Sequence, residues 1–258
     1  MASTRVSTPQ HWDDYWAAQG DDPETYDTGD RVIEAVTRVM DPQGARVLEV
    51  GAGSGRDATR LAALGADVTV IDYVRSSLDV VARNARREGV RLDLVHGDAL
   101  SMPFPDGTFD LVFHQGLIEH FRDPHPLVAE NRRVLRPGGL LLVDVPQRWH
   151  LYTAVKKVLI AADRWFAGWE TEYSIRDLER LVCRHGLEVV HEYGDWMRPS
   201  FVYRSARVVL GKGGVRLPLQ PSGRQHVNRL RTAARTRVGG HRAAFYTYMD
   251  IGIVARKG

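Results

Sequence analysis

Residues 48 to 72 read LEVGAGSGRDATRLAALGADVTVID: an apolar run, glycines at 51, 53 and 55, a helix-like stretch, and a second apolar run that ends on Asp72. The glycines permit a tight turn in which the backbone takes positive φ and comes into contact with a ligand. A helix starting near Arg56 aims its amino-terminal N–H groups at the same place, which suits a carboxylate or phosphate. About twenty residues after the turn, Asp72 at a strand end is placed to accept hydrogen bonds from two ribose hydroxyls. The combination reads as a nucleoside site. A dinucleotide site would need G-x-G-x-x-G, and Arg56 stands where the third glycine would pack against the strand. The phosphate loop G-x-x-x-x-G-K-[ST] is absent too, since no lysine follows Gly53 or Gly55.

Outward from this stretch, RVLEV (46–50), DVTVI (67–71), RLDLVH (91–96), DLVFH (110–114) and LLLVDVP (140–146) read as strands. Between them, residues 56–65, 76–89 and 125–139 carry apolar residues at three and four spacing and end at glycine, as amphipathic helices do. Strand and helix in alternation imply parallel strands with right-handed crossovers. Two helices are expected before the first strand, in PQHWDDYWAAQG and TGDRVIEAVTRVM. Beyond the fifth strand, 151–168 and 174–186 read as helices, 187–194 as a strand, and FYTYMDIGIVARKG as the last strand.

The expected fold is therefore α/β: a three-layer Rossmann-like sandwich around a mostly parallel seven-stranded sheet with one antiparallel edge strand. Residues 1–43 would be helices closing the ligand site and 44–195 the binding core, with a helical lid at about 149–173. Residues 196–244 would form a basic insertion, and 245–258 the last core strand.

The 258 residues carry 43% hydrophobic content, enough for one main domain, and a formal charge of only +3. The charge is uneven, because no Asp or Glu occurs from Trp196 to Met249. One cysteine, Cys183, excludes an intrachain disulfide and a cysteine metal cluster. The amino-terminal MASTRVSTPQHWDDYW lacks an apolar signal core, and a cytoplasmic location is expected.

VLEVGAGSGRDA, Asp72, GDALSMPFPDGTFDLVF and RVLRPGGLLLVDVP, in that order and spacing over about residues 44–146, together resemble the class I S-adenosylmethionine-dependent methyltransferases, in their small-molecule branch. The resemblance implies S-adenosylmethionine as cofactor. It places Gly51, Gly53 and Gly55 along the methionine end and ribose, Glu49 beneath the turn or at the methionine ammonium, and Asp72 on the ribose hydroxyls. Tyr73 would stack on adenine, Asp98 and Ala99 would meet its amino edge, and Gln115 would face the methionine moiety.

For the acceptor, a base of near-neutral pKa points to histidine. His120 in GLIEHF leads, followed by His114 and His150, while Trp149, Tyr152 and Trp169 are candidate acceptor contacts in the aromatic stretch after the fifth strand. No metal-ligand spacing appears. The segment after the fourth strand, HQGLIEH, lacks the Asn/Asp-Pro-Pro-aromatic pattern of base amino-methylation, and Cys183 lies in an amphipathic helix, which argues against nucleic-acid substrates. The acceptor expected is a small molecule taking the methyl on oxygen or nitrogen, a secondary metabolite for example. A sugar or lipid-linked sugar is the alternative, and a non-catalytic S-adenosylmethionine-binding protein another. Contact of the aromatic helix with a membrane surface stays open beside a plain core-facing role, as does the oligomeric state.

Overall fold

The computed structural model describes residues 8–18, 29–165, 167–196, 199–218 and 242–258. Seven strands form one sheet: β1 (Arg46–Val50), β2 (Asp67–Asp72), β3 (Asp93–His96), β4 (Phe109–Gln115), β5 (Leu135–Pro146), β6 (Leu187–Asp195) and β7 (Asp250–Lys257). Their order is β3-β2-β1-β4-β5-β7-β6. Strands β1 to β5 pair in parallel. The antiparallel strand β7 lies one place in from the edge, between β5 and β6. The chain reaches β6 at the far edge first, and its carboxyl terminus then fills the slot left between β5 and β6.

Helices cover both faces, which is why β1 is apolar on both sides: Val47, Leu48 and Val50 are all buried. On one face α2 (Arg31–Val39), α3 (Arg56–Ala63) and α4 (Arg75–Glu88) share a core with Val47, Val70, Leu111 and Leu142. On the other, α5 (His125–Val134) and α7 (Ile175–Arg184) pack on Leu48, Val112, Leu141 and Ile253. A capping box starts α7: Ser174 accepts from the Asp177 N–H, and Asp177 reaches back to the Ser174 N–H. At the other end of α4, Gly89 takes a left-handed conformation and stops the helix.

Three boundaries differ from expectation. The helix expected over 125–139 ends at Val134, and Leu135 to Gly139 belong to β5 instead. Pro137 denies its predecessor the helical conformation and cannot donate to a helix. The helix expected over 151–168 is α6 (Leu151–Ala161), which stops just before Asp163, a residue at φ 54°. Within the basic stretch the chain forms α8 (Phe201–Lys212); residues 219–241 of that stretch lie outside the described residues. The last expected strand starts later, at Asp250, after a 3-10 turn over Arg242–Tyr246.

Strand order reverses direction between β1 and β4, opening a crevice at their carboxyl ends, where an open parallel sheet takes its ligand. An amino-terminal helix, α1 (Pro9–Ala18), lies across α4 at this mouth, and Ser76 on α4 donates to the Asp13 carboxylate at 2.6 Å.

Candidate active site

The site begins with the turn between β1 and α3. Gly51, Gly53 and Gly55 all have positive φ, at 68°, 54° and 64°. A methyl group at Gly51 would lie 2.7 Å from Leu117, and one at Gly53 would lie 2.7 Å from the Trp16 ring, so bare backbone is needed for space as well as conformation. Gly55 caps α3 against Val81 and does not reach the cavity.

The turn forms one wall of a cavity of about 590 Å³. Beside Gly51 and Gly53 the lining includes Asp72, Tyr73, Asp98, Ala99 and Gln115, then Leu117, His120 and Phe121, and from α1 Trp12 and Trp16. Asp72, almost wholly buried, ends β2. Its carboxylate accepts from the Val74 N–H and the Ser77 hydroxyl, both at 2.9 Å, leaving lone pairs for a ligand. Burial raises its pKa, while those hydrogen bonds pull the other way. Tyr73 lies next to it, its phenol pushed up to about 12, first by burial and then by the Asp72 and Asp98 charges. Asp98 is held in a tight turn, accepting from the Leu100 N–H at 2.8 Å.

Beneath the turn lies Glu49, buried on β1, whose Oε2 has no partner among the described residues. Burial and the nearby Asp57 charge raise its pKa well above the carboxylate range. Gln115, with its amide oriented to satisfy both neighbours, donates to Asp57 at 3.2 Å and accepts from Arg31. Arg31 on α2 in turn grips Asp144 of β5 with two hydrogen bonds, at 2.9 and 2.8 Å. The cavity wall at Gln115 is thus braced from α2 through to β5.

The opposite wall is a 3-10 turn, Ile118–His120. His120 packs edge-on against Trp12, with ring centroids 5.0 Å apart, and its Nδ1 has no partner among the described residues. Burial holds its pKa below the usual histidine value, against a smaller upward pull from Glu170. At neutral pH the ring is a neutral base. Glu119 beside it is fully buried, and its carboxyl is pushed up to about 8 by burial and then by Glu170.

The remaining candidates lie off the cavity lining. His114 is enclosed on β4 with neither ring nitrogen partnered, and burial pushes its pKa down to about 3. His150 caps α6, accepting from the Tyr152 N–H. Trp149 is exposed, Tyr152 packs on Trp165, and Trp169 lies under the Arg122 guanidinium at 4.4 Å. These residues belong to a strap, closed where Gln147 pairs with Tyr173, that rests on the 3-10 turn through the Thr171 N–H to the Glu119 carbonyl at 2.7 Å.

Sequence reading did not assign Trp12 and Trp16 to the site. Their spacing of four residues, which puts both rings on one helix face, was the available signal. Nothing local announces Arg31, whose partners lie on β4, β5 and β7.

Residues 48–143 match the family model described as a methyltransferase domain. Over this core the chain is similar to the class I S-adenosylmethionine-dependent methyltransferases. The core is 30% identical over 128 residues to a ubiquinone biosynthesis O-methyltransferase from Maricaulis maris, covering 49% of each chain. It is 36% identical over 110 residues to a demethylmenaquinone methyltransferase from Clavibacter sepedonicus, covering 42% of this chain and 44% of that one. The chain thus spans about half the length of these curated relatives or less. A solved structure of the [4+2]-cyclase SpnF superposes with a TM-score of 0.65 over 98% of this chain and 97% of that one, at 22% identity, a likeness of fold.

The family's cofactor is S-adenosylmethionine. The chain's residues fit it: a glycine turn with no room for Cβ atoms, a carboxylate with lone pairs free at the strand end, and an orphaned buried carboxyl beneath.

Proposed function

We propose that the chain transfers the methyl group of S-adenosylmethionine to an oxygen or nitrogen of a small-molecule acceptor. The observation that carries this reading is one cavity with the glycine turn and Asp72 on one wall and a neutral, half-buried histidine on the other. Asp72 would hold the ribose hydroxyls, and Tyr73, Asp98 and Ala99 the adenine. Gly51, Gly53 and Gln115 would border the methionine moiety, with Glu49 and Gly55 shaping the turn from below. When bound, the cofactor supplies an electrophilic methyl group that needs no further activation.

The protein's share is alignment, exclusion of water and proton removal. Trp12, Trp16 and Leu117 narrow the mouth and shed water. His120 takes the proton from an acceptor hydroxyl onto an imidazole nitrogen as the acceptor oxygen becomes nucleophilic. Relatives named for O-methylation in ubiquinone biosynthesis and for demethylmenaquinone methylation favour an acceptor of quinone type or its precursors. The cyclase neighbour is a reminder that the fold alone does not fix the reaction.

Two steps test the reading. Calorimetry with S-adenosylmethionine and its demethylated product tests binding, and a panel of phenolic, quinol and sugar-linked acceptors, followed by mass spectrometry, tests transfer. Binding without any methylated product across the panel would move the chain to a non-catalytic role. A normal rate for His120→Ala at saturating acceptor would remove His120 as base.

A further inference from the structure

The 3-10 turn that carries His120 is backed by a buried ion pair. On α6, Lys156 is only 1% exposed, and its Nζ meets Glu170 of the strap, 6% exposed, at 2.5 Å. The other Glu170 oxygen accepts from the Trp165 indole N–H at 2.7 Å. Both carboxylate oxygens are therefore held, and the charge has a fixed position. For stability alone this is a poor arrangement, because apolar residues of similar volume do as well or better. Its presence calls for another use of the charge.

The geometry of the strap says what the charge meets. The Thr171 N–H donates to the Glu119 carbonyl at 2.7 Å, which brings the chain at Glu170 alongside the chain at His120. Burial lowers the pKa of the His120 ring; the largest opposing pull comes from Glu170, and Lys156 pushes down more weakly. The Trp169 and Gly116 carbonyls face the ring as well. Trp12 packs on it from α1 without bringing a charge. Glu119, on the same turn, supplies no anion at neutral pH, because burial and then Glu170 push its carboxyl up to about 8. Asp72, Tyr73 and Asp98 line the same cavity with the glycine turn.

On the methyltransferase reading, His120 takes the proton of an acceptor hydroxyl. The O–H bond breaks, its electron pair stays on the acceptor oxygen, and the proton moves to an imidazole nitrogen. A half-buried ring then carries a full positive charge, although its Nδ1 is buried with no partner among the described residues. An anion at a fixed place beside the ring favours that charged form and makes the imidazole a stronger base. Lys156 and Trp165 keep the anion from turning away.

We propose that Glu170, clamped by Lys156 and Trp165, is a positioning residue for His120 whose carboxylate supplies the counter-charge to the imidazolium formed during methyl transfer. This rests on the reading of His120 as the base. It also accounts for α6 turning Lys156 inward while Val155 and Val158 stay in water.

The test is an NMR titration of the histidine ring signals of the full chain, without donor or acceptor, the His120 signal being the one lost in His120→Ala. Lys156→Met/Glu170→Gln removes both charges and leaves no unpaired ion. The His120 midpoint is expected to move to lower pH in this variant and in Glu170→Gln, and to return toward the wild-type value in Glu170→Asp, which keeps the charge. Lys157→Met/Glu172→Gln breaks the outer ion pair of the same strap, found at 3.1 Å, and should leave the midpoint unmoved. In turnover, the acid limb of the kcat profile should follow the shift and its plateau should fall several-fold with KM unchanged; a strap that is merely loosened would slow the reaction without moving the limb. The proposal is overturned if the midpoint keeps its wild-type pH in the double variant, or if Glu170→Asp moves it as far as Glu170→Gln does. An unmoved midpoint in an active enzyme would remove the role of Glu170 alone. A shifted midpoint in a chain that methylates nothing would fail the methyltransferase reading and leave the pairing of Glu170 with His120 standing.

Discussion

The glycine cradle and the strap after β5 meet at the turn that carries His120, and they are built on opposite plans. In the cradle, the features that matter are backbone conformations and strand-end positions: three glycines at positive φ and an acid closing β2. Those are properties of residue type and spacing, so a sequence displays them. In the strap, what matters is which way a helix is turned. Bonds from Lys156 and Trp165 to Glu170, made across 14 and 5 residues, decide that. Composition shows an aromatic, amphipathic helix there but gives no hint that Lys156 is inside while Val155 and Val158 are outside.

Breaking the Lys156–Glu170 pair is the most damaging change expected. Lys156→Met leaves Glu170 buried and uncompensated and should cost about 3–5 kcal/mol in urea unfolding, partly recovered in Lys156→Met/Glu170→Gln. A loss under about 1 kcal/mol, the range of surface pairs, would mean that the pair does not orient the strap.

On the cradle side, Gly53→Val forces a β-branched residue to φ 54° and against the Trp16 ring. Strain of about 1–3 kcal/mol plus the clash should weaken S-adenosylmethionine binding roughly 100-fold. Near-normal affinity by calorimetry would remove the turn from the site.

The pH dependence of stability separates the two regions further. Burial, and then Glu170, push the Glu119 carboxyl up from 4.5 to about 8. The folded state therefore keeps this proton longer than the unfolded chain does. The stabilisation is complete below pH 4.5 and drains away as pH rises to about 8. Urea unfolding of Glu119→Gln compared with wild type should show the variant gaining relative stability across that window. Parallel curves would place Glu119 in a wetter setting than the structure gives it.

The smallest effect expected is at the mouth. Trp12→Ala removes the ring that packs on His120 at 5.0 Å and should cost about 1 kcal/mol of cofactor or acceptor binding, seen as a several-fold rise in Kd or KM. An unchanged value for both would make α1 a bystander.

Legibility followed the same division. The alternation of strands and helices, the order of β1 to β5 in the chain, and the cavity positions of Gly51, Gly53, Asp72, Tyr73, Asp98, Ala99, Gln115 and His120 could be read from spacing and resemblance. The end of α5 at Val134 was missed because apolar periodicity continues into RPGG, although Pro137 had already ruled the helix out. Arg31 was invisible because its role is to join α2 to Asp144, Asp250 and Gln115, contacts made only by the folded sheet. Trp149, Tyr152 and Trp169 drew attention as aromatics beside the acceptor side, yet their placement depends on the strap's tertiary bonds.

The central claim is that the carboxylate ending β2 grips the sugar of an adenosyl ligand bound on the glycine turn. Titration calorimetry of the demethylated cofactor against wild type and Asp72→Ala tests it most directly. The account predicts a single site in the wild type and a loss of about 2–4 kcal/mol in the variant; equal affinity in the two proteins would contradict it.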